Sequence, residues 1–429
     1  MRATWTRRML AAGIAAGLLG ATAACGSGDG DGSGDGDDAG NITLTVGLFG
    51  DFGFGPLYQE YMDLHPEIAI EERIAEFADH HTNLTQRLAT GTGTADIEAV
   101  EVGFISQYTA IPDRFHNLLE LGAADLADRW LDWKWQQALS QDGSALIGLG
   151  TDVGGMGMCY RTDLFEAADL PTEREQVSQL WPTWADYVDT GRDYLAASDG
   201  SFFFESSGQM FRAMVEQAPV GVYDTENNII VESNPAVRQA WDTTVAAIEA
   251  GMSNQLTAFT PEWTAAFGQG TFATIICPAW MTAYIETNAP EASGLWDVAA
   301  VPGGAGNMGG SHLVLPAQGE HPEEAYALIE WLTAPEQQLK VFQETGNFPS
   351  TPELYEDPEM TGLRKAYFND APIGEIFTAS ALQIAPQYQG PLQGDVLATI
   401  GQGLARIEDG AQTPDEAWAQ VVEDLASLG

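Results

Sequence analysis

Alternating apolar and polar residues predict the first β-strand of the folded part of the chain. Every second residue of 42–48 is apolar, which is the spacing of one face of a strand. A helix beginning at Pro56 follows, and then a second strand over 68–74, a helix over 82–89 and a third strand over 96–102. This β-α-β-α-β order predicts a parallel sheet with right-handed crossovers.

Candidate ligand-binding residues follow from that sheet, because ligands of open α/β sheets lie beyond the carboxyl ends of the strands. This rule selects Phe49, Asp51 and Phe52 after the first strand, and Glu101 at the end of the third. Phe52 offers an aromatic face for stacking, whereas Asp51 and Glu101 offer hydrogen-bond acceptors.

The apolar segment 146–165 contains closely spaced glycines, among them Gly154 and Gly155. Glycines in an extended apolar segment mark a bend or a close approach of the backbone. We interpret this segment as the strand that leaves one lobe and enters a second, with Thr151 and Asp152 at the crossing. One core strand with a glycine bulge is the alternative interpretation.

Strand and helix patterns continue to the end of the chain. Strands are predicted over 272–277, 296–301 and 312–315, with the glycine-rich loop 302–311 between the last two. The last helix begins with a capping box formed by Thr413 and Glu416. No internal repeat or later low-complexity break is visible, so the two lobes are predicted to interweave.

The first forty residues have the layout of an export signal and a tether. Residues 1–24 combine a positive start, an apolar stretch and small residues before Cys25. The segment 22–26 resembles a bacterial lipobox, in which the cysteine becomes the lipidated N-terminus; ordinary signal cleavage is the alternative. Residues 26–40 have no apolar residue larger than Ala39, so they predict a flexible, self-repelling tether.

The charge of the chain restricts its partners. The 429 residues carry 17 Lys and Arg against 62 Asp and Glu, a formal net charge of −45. Such a surface repels nucleic acid and disfavours anionic ligands, although a local basic pocket would override the global field. Neutral or cationic ligands remain. Solubility in a saline habitat is an alternative explanation of the acidity.

Three segments together resemble one family, the extracellular solute-binding lipoproteins (family 1) of bacterial ABC sugar importers. Residues 150–171 resemble the family's first crossing between lobes, 296–316 the approach to the second, and 322–350 the helical region around the third. The nearest subgroup binds cellobiose and cello-oligosaccharides. Met308 stands where that subgroup's pattern has an aromatic residue, so the identity of the sugar stays open.

The resemblance implies an α/β, two-lobed clamp of the periplasmic-binding-protein type II (Venus-flytrap) fold, with a mostly parallel, helix-flanked sheet in each lobe. The N-terminal lobe is expected to comprise 41–150 and 312–350, and the C-terminal lobe 151–311 and 351–429. An oligosaccharide would lie in the cleft between them. A site that hydrogen-bonds to hydroxyls discriminates strongly against analogues that lack them.

The candidate binding residues combine aromatic faces with hydrogen-bonding groups. Stacking candidates are Phe52, Trp181 and Trp280, each of which has a core position as its alternative. The hydrogen-bonding candidates are Asp51, Glu101, Asp152, Asn307 and Ser311, with Gln209 from the second lobe; Phe49 and Met308 complete the expected lining. Each polar candidate has helix or turn capping as its alternative.

Cys159 and Cys277 both lie in apolar strands of the expected second lobe. Exported cysteines that meet usually pair, so neighbouring strands and a disulfide are predicted. Two buried free thiols are the alternative.

Other functions remain to be weighed against sugar capture. A glycoside hydrolase needs two carboxylates across a scissile bond, and nothing in the sequence marks such a pair. A metal-binding receptor is suggested by His80 and His81 beside Asp79. The sequence has no histidine-rich loop, which disfavours this alternative. An adhesive lipoprotein would lack a cleft. We expect a monomeric, non-enzymatic protein without cofactor or metal, anchored through Cys25 on the outer face of the cell membrane and delivering its sugar to permease subunits.

Overall fold

A computed structural model describes residues 42–428. The predicted signal segment, the predicted lipidation site Cys25 and the predicted tether 26–40 lie outside these residues. The strands are β1 (Ile42–Phe49), β2 (Ile68–Ala75), β3 (Ile97–Glu101), β4 (Gly148–Gly150), β5 (Asp152–Val153), β6 (Met156–Arg161), β7 (Phe202–Phe204), β8 (Phe272–Pro278), β9 (Trp296–Ala299), β10 (Ser311–Val314) and β11 (Phe348–Pro349).

The helices flank these strands. They are α1 (Gly55–Leu64), α2 (Phe77–Thr90), α3 (Val102–Thr109), α4 (Asp132–Gln137), α5 (Thr162–Ala167), α6 (Arg174–Leu180), α7 (Trp184–Ala197), α8 (Ser207–Glu216), α9 (Pro235–Glu249), α10 (Pro261–Gln269), α11 (Ala279–Asn288), α12 (Pro322–Leu332), α13 (Pro335–Thr345), α14 (Pro358–Thr361), α15 (Ile373–Ala381), α16 (Gln393–Glu408) and α17 (Pro414–Ala426). Short 3-10 turns lie at Pro112–Arg114, Leu118–Leu121, Ala123–Arg129, Pro290–Ala292, Pro352–Glu356 and Ala366–Phe368.

The N-terminal lobe is built on a sheet with the strand order β2-β1-β3-β10-β4. The pairs of β1 with β2 and β3 are parallel, as the β-α-β-α-β pattern predicts. However, β10 runs antiparallel to both β3 and β4, so the sheet is mixed rather than mostly parallel. The reason is that β10 belongs to the returning chain and enters the sheet from the end at which β3 and β4 leave it.

The C-terminal lobe is built on a second sheet with the order β7-β8-β6-β9. Only β7 and β8 are parallel, whereas β6 is antiparallel to β8 and β9. The expectation of a mostly parallel sheet is therefore wrong for this lobe. Strand β6 leads away from the crossing and β8 and β9 lead back to it, so their directions must oppose.

Three connectors join the lobes. The first runs through β5, the second from β9 to β10, and the third through β11, which pairs with β5 in a separate antiparallel ribbon. Helix α13 contributes to the cores of both lobes, because Val341 packs in the N-terminal core and Phe342 in the C-terminal core. The two-lobed α/β fold predicted from the sequence is confirmed.

Helix α2 begins earlier than its sequence pattern predicts. The predicted start is residue 82, whereas the helix begins at Phe77. The residues Phe77, His81, Leu84 and Leu88 recur at a spacing of three or four, so they form the inward face of the longer helix. The capping box of Thr413 and Glu416 at the start of α17 is confirmed.

A disulfide joins Cys159 on β6 to Cys277 on β8, with 5.3 Å between their Cα atoms. Both side chains are fully buried in the C-terminal lobe. Among residues 42–428, no helix has the length and apolar character needed to cross a membrane.

Candidate functional site

The ends of the strands in both sheets lie next to the connectors. Glu101 ends β3 and pairs with Ser311, while Gly150 ends β4 and pairs with His312. On the other lobe, Met156 at the start of β6 pairs with Pro278 at the end of β8. The strand ends that the sequence selected for ligand binding therefore lie beside the crossing.

Asp152 joins the first and second connectors. Its carboxylate accepts hydrogen bonds from the backbone N–H of Ser311 at 2.9 Å and from the hydroxyl of Thr151 at 2.6 Å. Burial raises the pKa of Asp152, although the nearby Lys134 ammonium and these hydrogen bonds act in the opposite direction. The group thus holds the two connectors together from inside the protein.

Asn307 joins the same connectors one step further along. Its amide oxygen accepts from the backbone N–H of Gly154 at 2.8 Å, and its amide nitrogen donates to the Gly309 carbonyl at 3.0 Å. The backbone N–H of Met308 donates to the Gly154 carbonyl at 2.8 Å. The structure brings Asp152, Asn307, Met308 and Ser311 together, and their polar contacts are made with the connectors.

Lys134 lies beneath this crossing. It is fully buried on α4, and no described residue supplies a hydrogen-bond partner for its Nζ. Burial lowers the pKa of Lys134 to about 8, and the carboxylates of Asp152 and Glu101 oppose that decrease. A buried cation with two acidic neighbours therefore supports the base of the cleft.

Glu101 is a polar group that reaches from the N-terminal lobe towards the other lobe. One carboxylate oxygen caps α3 by accepting from the Gly103 N–H at 2.6 Å. The other accepts from the Arg212 guanidinium at 3.4 Å. Because Arg212 belongs to α8 of the C-terminal lobe, this contact bridges the lobes.

The turn after β1 supplies the other predicted residues of the N-terminal wall. Phe49 and Phe52 pack edge to face, with 5.1 Å between ring centroids. Phe52 is buried, whereas Asp51 is exposed and accepts from the Gly53 N–H at 2.8 Å, so that it stabilises the turn itself.

Helix α8 forms the opposite, polar wall. Gln209, Arg212 and Glu216 follow one another at spacings of three and four, so they share one helix face. Burial raises the pKa of Glu216 to about 7; Arg212 opposes this shift and Glu101 adds to it. Glu216 therefore binds a proton near neutral pH more readily than an exposed glutamate does.

Several buried polar atoms on and next to this wall make no hydrogen bond within the described part of the chain, although Arg212 Nε and Glu216 Oε1 lie 3.9 Å apart as an ion pair. They are Arg212 Nε, Glu216 Oε1, Gln389 Oε1 and both amide atoms of Gln393. Gln393 begins α16, which packs against α8 and against α3 of the N-terminal lobe. Close to this contact, the Ser106 hydroxyl of α3 donates to the Gly390 carbonyl at 2.7 Å. Buried polar atoms without partners are rare in folded proteins, and their clustering indicates a site for a polar molecule.

Aromatic rings adjoin the polar walls. Phe77 of the N-terminal lobe and Phe259 of the C-terminal lobe are nearly parallel, with 6.3 Å between centroids and 17° between planes. Phe259 is also stacked with Trp280, at 6.2 Å and 23°. Phe259 is 48% exposed and has a left-handed backbone conformation, φ 65°, which is strained for a non-glycine residue. Such strain clusters at functional sites.

Trp181 is placed differently from the sequence expectation. It is only 1% exposed, inside the core of the C-terminal lobe, where it packs against Phe165 and Tyr187. Its indole N–H donates to the Ala300 carbonyl at 2.8 Å. Trp181 is therefore a core residue and does not line the cleft. Trp280 is only partly buried, and its indole N–H donates to the Met308 carbonyl at 3.2 Å.

The sequence interpretation missed six residues of these walls: Phe77, Arg212, Glu216, Phe259, Gln389 and Gln393. Arg212 and Glu216 have the spacing of an exposed helical ion pair, although the sequence around them is strongly apolar, with Met210, Phe211 and Val215. Charged residues on the buried side of an amphipathic helix were the signal available for them.

The lobes lie close together in this structure. The cavity next to the crossing, lined by Phe52, Thr151 and Asp152 among others, has a volume of only about 10 Å³. A larger groove of about 520 Å³ lies between α7 and α9, and none of the predicted site residues lines it. Contacts between the lobes, such as Arg212 with Glu101 and Ser106 with Gly390, join them here, so a ligand that reaches these residues from between the lobes displaces such contacts.

Two lobes, three connectors and a polar cleft define a solute-binding protein of the two-lobed kind. The family model for bacterial extracellular solute-binding proteins matches residues 57–366. A crystal structure of an extracellular solute-binding protein of family 1 is 42% identical, with a TM-score of 0.80, and the match covers 89% of this chain and 98% of that one. The chain belongs to the bacterial extracellular solute-binding protein family.

More distant solved structures share the fold. The ABC-transporter-associated binding protein of B. animalis subsp. lactis Bl-04, in complex with β-1,6-galactobiose, is 20% identical with a TM-score of 0.79, covering 90% of this chain and 97% of that one. The GacH receptor of Streptomyces glaucescens, described unliganded and with acarbose, is 16% identical with a TM-score of 0.75, covering 90% and 98%. No curated protein matches the chain in sequence.

Proposed function

We propose that this protein captures a neutral oligosaccharide between its lobes and delivers it to the membrane subunits of an ABC importer. The observation that carries the proposal is the set of buried polar atoms of Arg212, Glu216, Gln389 and Gln393 that make no hydrogen bond within the described residues, together with the aromatic pair of Phe77 and Phe259 that spans the lobes. Sugar hydroxyls satisfy such donors and acceptors, and the C–H faces of a pyranose ring stack on aromatic rings. The complexes of related folds with galactobiose and acarbose support the ligand class.

A neutral ligand also suits the charges of the cleft. The guanidinium of Arg212 lies between Glu101, at 3.4 Å, and Glu216, at 3.9 Å. An anionic sugar would compete with these carboxylates, and a net charge of −45 would repel it from the surface. Hydroxyl groups instead accept from the cation and donate to the carboxylates without adding charge.

Cellobiose and longer cello-oligosaccharides are the sugars that we propose, with xylo-, chito- and malto-oligosaccharides as alternatives. Sugar contacts with both lobes would be made together only in the closed form, so binding would shift the population towards closure. The closed, monomeric protein would then dock on the permease. We further propose that Cys25 carries a lipid anchor on the outer face of the membrane, and that the chain has no enzymatic activity.

A thermal-shift and calorimetry panel of cellobiose, xylobiose, chitobiose and maltose tests the proposal. We expect one sugar class to raise the melting temperature and to release or absorb heat with one-site stoichiometry. If none of the four disaccharides or their trisaccharides raises the melting temperature or gives a heat of binding, oligosaccharide capture is contradicted. Labelled fatty acid incorporated by the wild-type chain and absent from Cys25→Ala supports the anchor, and equal incorporation contradicts it.

A glycoside hydrolase is the second candidate, because Glu101 and Glu216 are two carboxylates at the meeting of the lobes. Arg212 forms ion pairs with both of them, so the two carboxylates are engaged with a cation, which favours binding over hydrolysis. Chromatography of cello-oligosaccharides after prolonged incubation with the protein distinguishes the two, since only a hydrolase shortens them.

A further inference from the structure

His81 links two parts of the N-terminal wall. It lies on the inward face of α2 and is only 1% exposed. Its Nδ1 lies 2.8 Å from the carbonyl oxygen of Phe77, and its Nε2 lies 3.1 Å from the backbone nitrogen of Glu101. One imidazole therefore contacts the backbone of both the stacking residue and the carboxylate that reaches across the cleft.

These two contacts fix the protonation of the ring. A carbonyl oxygen only accepts a hydrogen bond, so Nδ1 must carry a proton and donate it to Phe77. A backbone N–H only donates, so Nε2 must be unprotonated and accept from Glu101. The ring is thus the neutral Nδ1–H form. Burial lowers the pKa of His81 to about 3, which keeps it neutral at ordinary pH.

Aromatic neighbours fix the plane of the ring as well. His81 is stacked on Phe104, with 4.0 Å between centroids and 15° between planes, and it contacts Phe77 at 4.8 Å. Phe104 belongs to α3, the helix that Glu101 caps and that touches the C-terminal lobe through Ser106. Rotation of the imidazole would therefore break its stacking on Phe104 in the first turn of α3.

Both nitrogens of His81 are engaged by backbone groups, so its arrangement does not resemble a metal ligand. Its neighbour His80 has its Nε2 2.7 Å from the Ala99 carbonyl, on the side of the β3 backbone. The adjacent pair of histidines that stood out in the sequence consequently divides into two roles. His80 contacts the backbone of Ala99 in the middle of β3, whereas His81 contacts the backbones of Phe77 and Glu101, which face the other lobe.

We propose that His81 is a positioning residue of the ligand site, holding the Phe77 ring and the Glu101 carboxylate in the arrangement that receives the sugar. This inference rests on the proposed function. It assigns no contact between His81 and the sugar, because the imidazole acts through the backbones of the other two residues. Loss of either hydrogen bond would free one wall element to move away from its binding geometry.

Three substitutions separate the two bonds. His81→Asn places an amide nitrogen near the Nδ1 position and keeps the donor to Phe77, whereas His81→Gln places an amide oxygen near the Nε2 position and keeps the acceptor for Glu101. His81→Phe keeps the ring stacked on Phe104 and loses both bonds. We expect the affinity for the tightest-binding disaccharide of the cellobiose, xylobiose, chitobiose and maltose panel to fall about tenfold or more in His81→Phe, with His81→Asn and His81→Gln in between.

His80→Gln is the matched control, because it alters another buried histidine on the same helix. We expect it to lower the melting temperature and to leave sugar affinity near the wild-type value. Equal affinity in His81→Phe and the wild type, or an equal loss in His80→Gln, overturns the positioning role while sugar capture stands. A wild-type protein that binds none of the four disaccharides overturns sugar capture and with it the role of His81.

Nitrogen NMR of histidine-labelled wild-type protein supplies a readout that is independent of folding in the variants. We expect His81 to show the Nδ1–H form, and its Nε2 resonance to shift when the bound disaccharide is added. An Nε2–H form, or a resonance that the sugar leaves unchanged, contradicts the proposal.

Discussion

The guanidinium of Arg212 lies 3.4 Å from the carboxylate of Glu101, and this ion pair connects helix α8 of one lobe to the cap of helix α3 of the other. Glu101 is 7% exposed and the Arg212 side chain is 28% exposed, so the carboxylate side of the pair is shielded from solvent. Removing one partner of a shielded pair leaves the other charge without compensation, which makes the contact sensitive to substitution.

Arg212→Met is expected to weaken both closure and sugar binding. Without the guanidinium, the carboxylates of Glu101 and Glu216 would face each other, and their repulsion favours separated lobes. We expect affinity to fall about ten- to a hundredfold, and small-angle scattering to give a larger radius of gyration. Arg192→Met is the control, since Arg192 pairs with Asp189 on an exposed helix surface. Unchanged scattering and affinity for Arg212→Met would count against the bridge.

Phe259→Gly separates the strain of the backbone from the function of the ring. Glycine adopts positive φ without steric cost, so relief of the strain at φ 65° opposes the loss of packing, and we expect the melting temperature to stay near that of the wild type. Loss of the ring is expected to lower sugar affinity about tenfold. Phe202→Gly removes another exposed ring and should leave affinity unchanged. A Phe259→Gly variant with full affinity would exclude stacking at this position.

Gly154→Ala is expected to disrupt the crossing. A Cβ at this position would lie 2.3 Å from the backbone carbonyl of Met308, so the two connectors would have to separate. We expect a loss of about 2–4 kcal/mol in the free energy of unfolding, measured with urea. Gly401→Ala, in α16, has nothing within 4 Å of the added methyl group and should be neutral or stabilising by about 0.5–1 kcal/mol. Equal stability of the two variants would contradict this account of the crossing.

Glu205 predicts a pH dependence of stability. Burial raises its pKa from the ordinary value of 4.5 to about 8, and Oε2 has no partner within the described residues. The fold thus prefers the protonated form: its contribution is complete below pH 4.5, decreases as the pH rises through about 8, and then levels off. Glu205→Gln should remove this slope and stabilise the protein at pH 9 by a few kcal/mol, on the order given by the pKa shift.

Urea unfolding at pH 5, 7 and 9 measures that effect. Glu232→Gln, an exposed site, is the control and should keep the wild-type slope. If the Glu205→Gln and wild-type curves run parallel over this range, another group is responsible for the pH dependence.

The first half of the N-terminal sheet was predictable because its signals are local. Alternation over β1, the helix after Pro56 and the apolar β3 each lie within about ten residues, and the strand-end rule then led to Glu101. The glycine-rich segment likewise led to Asp152, because close backbone approach at a crossing requires residues without a Cβ, as Gly154 shows.

The remaining features depend on distant parts of the chain. Strand β6 pairs with β8 and β9, which follow more than a hundred residues later, so its antiparallel direction leaves no local mark. Trp181 follows the end of α6 and Trp280 lies in the first turn of α11, and only tertiary packing buries the first and leaves the second partly exposed. The helices that carry Arg212 and Gln393 meet through the contact of α8 with α16, which no spacing in the sequence records.

The hydrogen bonds made by β5 have a consequence for the way in which the lobes move. On one side, β5 pairs with β11. On the other side, Asp152 of β5 and Gly154 just after it are hydrogen-bonded to the segment that leads into β10. All three connectors between the lobes are therefore joined by hydrogen bonds into a single hinge. We expect the lobes to rotate about this hinge with a single degree of freedom, so that a displacement of any one connector also displaces the other two.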